Sequence, residues 1–203
     1  MNARENRGFG SDVVQLLIPH RRPFLMVDRV DTWALEPVAE LRASRHVSAN
    51  ELVFDGHFPG WGLWPGVYTI EGMGQSCMLL AVLKRICEAA LERGLSSDDV
   101  SAAARELDRG FHLAPGVRPG LLDRLVESIG SPRTRIGMAS TIDVKLLHPV
   151  FAGQRLDYNV CLTHDEGTVM RFDVEAAVEG RPVARGTIGS AFVEAATALP
   201  FVR

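Results

Sequence analysis

Between Val67 and Leu83 the chain is apolar almost throughout, interrupted chiefly by Glu71 and Gln75, and Lys84-Arg85 follows directly. Such a run is short for a membrane span, which needs about 20 apolar residues. A helix that is apolar on nearly every face without that length has to be enclosed by protein. The pattern predicts one long helix from Val67 to about Arg93, with Ile70, Met73, Cys77, Leu80 and Leu83 along one face. Gly72 and Gly74 lower its intrinsic propensity, which makes sense if another backbone packs closely there.

The remaining sequence reads as the enclosure. Ser11 is placed to cap a short helix through Leu17, ended by Pro19. Phe24–Trp33 and Val38–Val47 read as strands. Asp55 to Gly66 is dense in Gly, Pro and aromatic residues and reads as a loop. Four strand-like segments close the chain: Ala139–Leu147, Gln154–His164, Thr168–Val178 and Arg181–Val193. Asp165-Glu166-Gly167 and Glu179-Gly180 between them carry hairpin chemistry. Two strands, a buried helix and four strands in meander order predict an α+β domain, an antiparallel sheet curled around the helix. Between helix and meander, Gly94–Arg133 holds two shorter helical patterns, Ser97–Leu107 and Leu121–Ser128, among Pro115, Pro119 and Pro132. Phe111, Leu113, Leu121, Leu122, Leu125 and Val126 suggest that this segment packs on something.

With 203 residues, 46% of them hydrophobic, the chain can bury one sizeable core, and we read residues 1–203 as a single domain. A net charge of −3 argues against general nucleic-acid binding, which needs a basic field. Cys77, Cys87 and Cys161 cannot all pair within one chain and lack metal-ligand spacing; buried thiols in a reducing cytoplasm are the simplest reading. The first ten residues have no apolar core and are not read as a secretory signal.

Chemistry concentrates in DGHFPGWGLWPGVYTIEGMGQ, Asp55 to Gln75. His57 sits in a rigid Gly/Pro loop and begins near neutrality, suited to accepting a proton. Glu71 lies one turn into the apolar helix, where burial is expected to raise its pKa and keep a proton available for a leaving group. Pro65-Gly66-Val67 marks a helix start whose first N–H groups have no internal partner and can bond an oxyanion. Pro65 suits a first turn, and Gly66 admits a close approach. A base, an acid and an oxyanion donor are what eliminating water β to a carbonyl requires. Each element also has an ordinary structural role: a packed histidine, a carboxylate answering the helix dipole, a simple turn.

The combination resembles the FabZ-type 3-hydroxyacyl-[acyl-carrier-protein] dehydratases, in the loop Gly56-His57-Phe58-Pro59-Gly60, the tip Pro65-Gly66-Val67 and the helix Glu71-Gly72-Met73-Gly74-Gln75. The separation of 14 between His57 and Glu71 is that family's. Pro19-His20-Arg21-Arg22-Pro23-Phe24-Leu25-Met26-Val27-Asp28-Arg29-Val30 resembles its opening segment, and Asp143–Gly153 the strand and turn after the central helix. The resemblance implies a hot-dog fold and a homodimer or higher assembly, such as a trimer of dimers, with His57 of one copy facing Glu71 of the other. It implies a carbonyl held at Gly66 and an acyl chain in an apolar tunnel. It implies a (3R)-3-hydroxyacyl substrate on an acyl carrier protein, no metal or organic cofactor, and neither a nucleic-acid nor a membrane partner. Glu at position 71 favours plain dehydration over dehydration with isomerisation.

On the same basis Gly66, Val67, Phe58, Pro59, Trp61, Trp64 and Gln75 are expected to line the substrate site. The Trp61-Gly62-Leu63-Trp64 insert departs from the family pattern, and its tryptophans either narrow the pocket or fill core. Leu147 and His148 stand where basic residues are usual, so carrier docking is assigned to Arg21, Arg22, Lys84, Arg85 and Lys145, with Arg133 and Arg135 as alternatives; ordinary solvated charge explains all of them equally well. Gly94–Arg133 is an insertion, expected to be a lid, an interface element or a docking surface. The insertion and the tryptophans point towards a specialised lipid or polyene pathway. Two rival readings are a hot-dog acyl thioesterase and a non-catalytic acyl- or carrier-binding module.

Overall fold

A computed structural model describes residues 8–113, 120–129 and 135–194. Its axis is the expected long helix, α2, Gly66–Leu91. Pro65 stands at its N-cap with φ −60°, inside the range its ring enforces. At the other end Gly94, at φ +73°, donates to the Leu91 carbonyl, and Leu95 donates to Ala90. This paired closure uses carbonyls that a helix end leaves over. Met73, Cys77, Leu80 and Leu83 are buried as the periodicity requires, while Ile70 is half-buried.

The enclosure is one six-stranded antiparallel sheet. Its strands are β1, Arg29–Ala34; β2, Glu40–His46; β3, Arg135–Leu146; β4, Arg155–Asp165; β5, Val169–Val178; and β6, Arg181–Glu194. They lie in the order β1-β2-β4-β5-β6-β3. The β5–β6 turn places Glu179 at φ 52° and Gly180 at φ 76°, the pair of positive dihedrals that matches strand twist in a two-residue hairpin. Period-two alternation turns Leu156, Tyr158 and Val160 of β4, and Met170, Phe172 and Val174 of β5, inward. The helix α2 touches β2, β3, β4, β5 and β6. A sheet wrapped on one long helix is the expected hot-dog arrangement.

Gly72 shows how closely the layers meet, because a Cβ there would lie 2.2 Å from the Tyr158 hydroxyl. The approach is made by a phenol rather than by the backbone expected from sequence. At Gly74 a Cβ would meet nothing within 4 Å of the single chain.

Two local expectations are corrected. The helix α1, Ser11–Leu17, takes Gly10 rather than Ser11 as its N-cap. The Gly10 N–H goes to Asp108 Oδ1 at 3.1 Å, and Ser11 Oγ instead accepts from Gln15. The first strand begins at Arg29, not Phe24. Preceding residues are drawn into side-chain bonds in place of a ladder: Met26 N donates to Gln75, Phe24 O accepts from Gln75, and Asp28 accepts from Arg45 and the His46 backbone. Such bonds compete with regular pairing.

The inserted segment forms α3, Ser97–Leu113, and α4, Gly120–Ser128. Ser96 starts α3 by a reciprocal exchange with Asp99, side chain to backbone in both directions. Val100, Ala103, Ala104, Leu107, Leu122, Leu125 and Val126 are buried in the same cluster as the core of α2 and the sheet, and Leu121 packs against it. Phe111 and Leu113 fall outside the residues whose side chains are described. Packing of this kind makes α3 and α4 part of the folding unit.

Leu125→Ala is expected to cost about 2–5 kcal/mol, and Gly72→Ala about 1–3 kcal/mol through overpacking against Tyr158. Denaturant midpoints measured with an unchanged slope check both. Deletion of residues 94–133 is expected to abolish cooperative unfolding, a loss visible in calorimetry.

Candidate functional site

The loop carrying His57 is built from backbone bonds. A single turn of 3-10 helix, Leu52–Asp55, precedes it, and the Val53 carbonyl accepts from the N–H of both Gly56 and His57. Trp61 N–H closes a turn on Phe58 O at 2.8 Å, around Gly60 at φ 81°. Trp64 N donates to Val150 O, and Ala152 N donates to Gly62 O, so the loop is strapped to the segment after β3. Arg45 braces it from below, with Nη2 on Glu51 at 2.5 Å, Nη1 on Asp28 and the Leu25 carbonyl, and its guanidinium 5.6 Å from the Trp64 ring.

Within this frame His57 Nδ1 lies 3.2 Å from the Leu63 carbonyl oxygen. A carbonyl accepts and cannot donate, so Nδ1 carries the hydrogen, and in the neutral ring the lone pair is on Nε2. The ring stacks on Phe58 at 4.3 Å between centroids. A cleft of about 290 Å3 opens beside it, lined by His57, Trp64, Gly66, Thr69, Leu146 and His148 among others. The first turn of α2 borders that cleft with no side-chain cap, leaving early N–H groups of the helix free to bond a guest.

Glu71 lines a different cleft, of about 140 Å3, with His20, Gln75, Met78, Met138 and Ile188. Its side chain is 29% exposed in the single chain, where the apolar run leads one to expect it buried or nearly so. Its Oε1 accepts from Gln75 Nε2 at 2.8 Å, and His20 Nε2 stands 3.5 Å from the same oxygen. Gln75 is itself buried and its amide orientation is forced. Oε1 must face the Met26 N–H, 2.8 Å away, which turns the amino group to Glu71 and to the Phe24 carbonyl at 2.7 Å. Burial pushes the His20 imidazole below the usual histidine range; the Glu71 carboxylate pulls it back and Arg21 pushes further down.

Among the described residues, His57 and Glu71 thus line two separate clefts. Of the other expected substrate residues, Gly66 and Trp64 join His57, and Gln75 joins Glu71. Val67, Phe58 and Trp61 are well exposed, and Pro59 is also at the surface. Trp64 is buried, packing edge-on to Phe54 and Tyr68, so it fills core while walling the cleft.

The carrier-docking candidates are scattered. Lys84 pairs with Glu88 and Asp165, and Arg85 donates to the Gly167 carbonyl. Both lie some 18 positions beyond the helix tip, roughly 27 Å along its axis. Arg21 folds back onto the carbonyls of Ile18 and His20. Arg22 is exposed, and Lys145 lies with Arg42 and Arg185 on the outer face of the sheet. Arg133 and the Arg135 side chain lie outside the described residues.

Three residues were not singled out by sequence: His20, Arg45 and Tyr158. His20 was within reach, since it stands in the segment Pro19–Val30 that carries part of the family resemblance. Arg45 and Tyr158 read as ordinary strand residues, because their partners are distant in the chain.

A FabA-like domain model matches residues 18–98. A 3-hydroxyacyl-[acyl-carrier-protein] dehydratase FabZ from Nitratiruptor sp. is 30% identical over 89% of this chain and 95% of its own length. A FabZ from Anaeromyxobacter sp. is 31% identical over 85% of this chain and 83% of its own. Among solved structures, a chain of the dehydratase heterocomplex ApeI:P from Xenorhabdus doucetiae superposes with a TM-score of 0.58 at 17% identity, covering 92% of this chain and 95% of that one. At that identity the likeness is one of fold.

Proposed function

Because the chain belongs to the FabZ-type dehydratase family, we propose that it eliminates water from a 3-hydroxyacyl thioester on an acyl carrier protein, at sites each shared between two copies. The observation that carries this reading is the division of groups between two clefts. One holds an imidazole with its Nε2 lone pair free, and the other holds a carboxyl with Oε1 engaged. Neither half suffices alone.

A second copy has a surface to meet. β3 is an edge strand of 12 residues, and an open edge of that length invites pairing. Met138, Ile142 and Leu146 are each about half exposed along it. Val67 and Phe58 expose apolar surface near the α2 tip, and Gly74 leaves open space between them and the far end of the helix. A contiguous apolar strip marks an interaction site more often than solvent-facing surface. Joining two copies here brings the His57 cleft of one beside the Glu71 cleft of the other.

In the joined site His57 Nε2 takes the proton α to the thioester carbonyl. The carbonyl oxygen, gaining charge, is held by the Gly66 N–H at the helix tip. Glu71 gives its proton to the 3-hydroxyl, which leaves as water, and a trans-2-enoyl thioester remains. The acyl chain lies in the apolar channel between the copies. The (3R) configuration and the carrier come to this chain from its family. Cys77 and Cys87 are buried and all three cysteines are free thiols, which fits a reducing cytoplasm. No helix among the described residues is long and apolar enough to cross a membrane.

His57→Ala and Glu71→Gln are each expected to lower turnover of 3-hydroxyacyl-carrier substrates by a factor of about 10²–10⁴, with the assembly intact by size-exclusion chromatography. Enoyl-thioester absorbance across a series of chain lengths provides the readout. Near-normal turnover in either variant removes that residue from its role.

A further inference from the structure

We propose that His20 is a positioning residue for Glu71: its neutral Nε2–H, acting with the Gln75 amide, holds Glu71 Oε1 so that the transferable proton resides on Oε2. The inference rests on the dehydratase reading above and concerns which oxygen of the acid does the work.

The argument begins at Gln75. The buried amide cannot flip, because flipping would set an N–H against the Met26 N–H and an oxygen against the Phe24 carbonyl. Its amino group is therefore a fixed donor to Glu71 Oε1. An oxygen that accepts a firm N–H bond is the poorer place for the carboxyl proton; the carbonyl-like oxygen accepts and the other carries the hydrogen. Among the described residues no hydrogen bond engages Oε2 of Glu71, and the residue lines the cleft.

His20 is placed to bring a second donor to the same oxygen. Its Nε2 stands 3.5 Å from Oε1, long for a hydrogen bond and of the kind that tightens when a substrate is bound. Its Nδ1 is buried without a partner. A hydrogen on Nδ1 would be an orphaned buried donor, and a lone pair there costs less, so Nε2–H is the tautomer that the site favours. Burial also favours the uncharged ring. A neutral donor serves an acid catalyst well. A neutral N–H orients the Glu71 carboxyl group without setting a full positive charge beside it. The His20 ring is kept in place by Phe24, 6.5 Å away, whose own ring meets Tyr68 edge-on at 6.2 Å.

The test combines kinetics with a measurement on the ring itself. His20→Ala is expected to lower kcat roughly tenfold, about one hydrogen bond's worth, with KM within twofold. His20→Gln, whose amide nitrogen can stand where Nε2 stood, is expected to restore most of that loss. Nitrogen-15 NMR of the intact assembly is expected to show His20 as the neutral Nε2–H tautomer, with the Nε2 shift moving in Glu71→Gln. Unchanged kcat in a folded His20→Ala, a defect confined to KM, or a Gln variant as impaired as the Ala variant would each overturn the proposal. So would an Nδ1–H tautomer or a shift indifferent to Glu71→Gln. If the wild-type protein dehydrates no 3-hydroxyacyl-carrier substrate, the function reading fails, and the NMR result still decides whether His20 addresses Glu71.

Discussion

The amide of Gln75 is the junction on which the site's order depends. It lies inside a helix that is apolar nearly all round, where an unpartnered polar group costs about 1–3 kcal/mol. It therefore takes every partner within reach: the Met26 N–H, the Phe24 carbonyl and Glu71 Oε1. Through those bonds the central helix pulls the segment before β1 out of the sheet and against its own first turns. That segment carries His20 to Glu71. Arg45 does the corresponding work on the other flank, joining the Leu25 carbonyl, Asp28 and Glu51 beneath the His57 loop. Two polar junctions, each mostly enclosed, thus set Glu71 and His57 in their separate clefts.

That separation follows from the fold. A sheet wound round one helix uses the helix faces for its core and leaves α2's tip and the free edge of β3 uncovered. The His57 loop is strapped beside the tip by Trp64 and Val150. Glu71, a turn and a half further along, looks out near Gly137 and Met138 of β3. The close approach of Gly72 to Tyr158 fixes the helix against the sheet between these two flanks. In the proposed assembly a second copy supplies the missing half of each site.

Much of this was legible in the sequence. The apolar run predicted the helix, alternation predicted β4 and β5, and the loop and helix motifs singled out His57, Gly66 and Glu71 as candidate site residues. Periodicity failed where side chains override the backbone. Phe24–Asp28 alternates like a strand but is held by Gln75, Asp28 and Arg45, partners far off in the chain. Glu71 is partly exposed in the single chain, and hydrophobic neighbours along a helix do not reveal which face a sheet leaves open. The inserted helices, which the family pattern lacks, were expected to be a lid, an interface element or a docking surface and to pack on something; Leu122, Leu125 and Val126 join the main core. Trp61 and Trp64 looked alike in sequence, and one is surface and the other core.

A mixed assembly tests the shared site most directly. Co-expressing a His57→Ala chain with a Glu71→Gln chain under two affinity tags, and purifying the doubly tagged dimer, yields one site with both groups lost and one with both intact. The account predicts that this dimer regains up to about half of wild-type turnover, far above the 10²–10⁴-fold deficits of the parents. A mixed dimer as inactive as its parents would show that acid and base act within a single chain, and would contradict it.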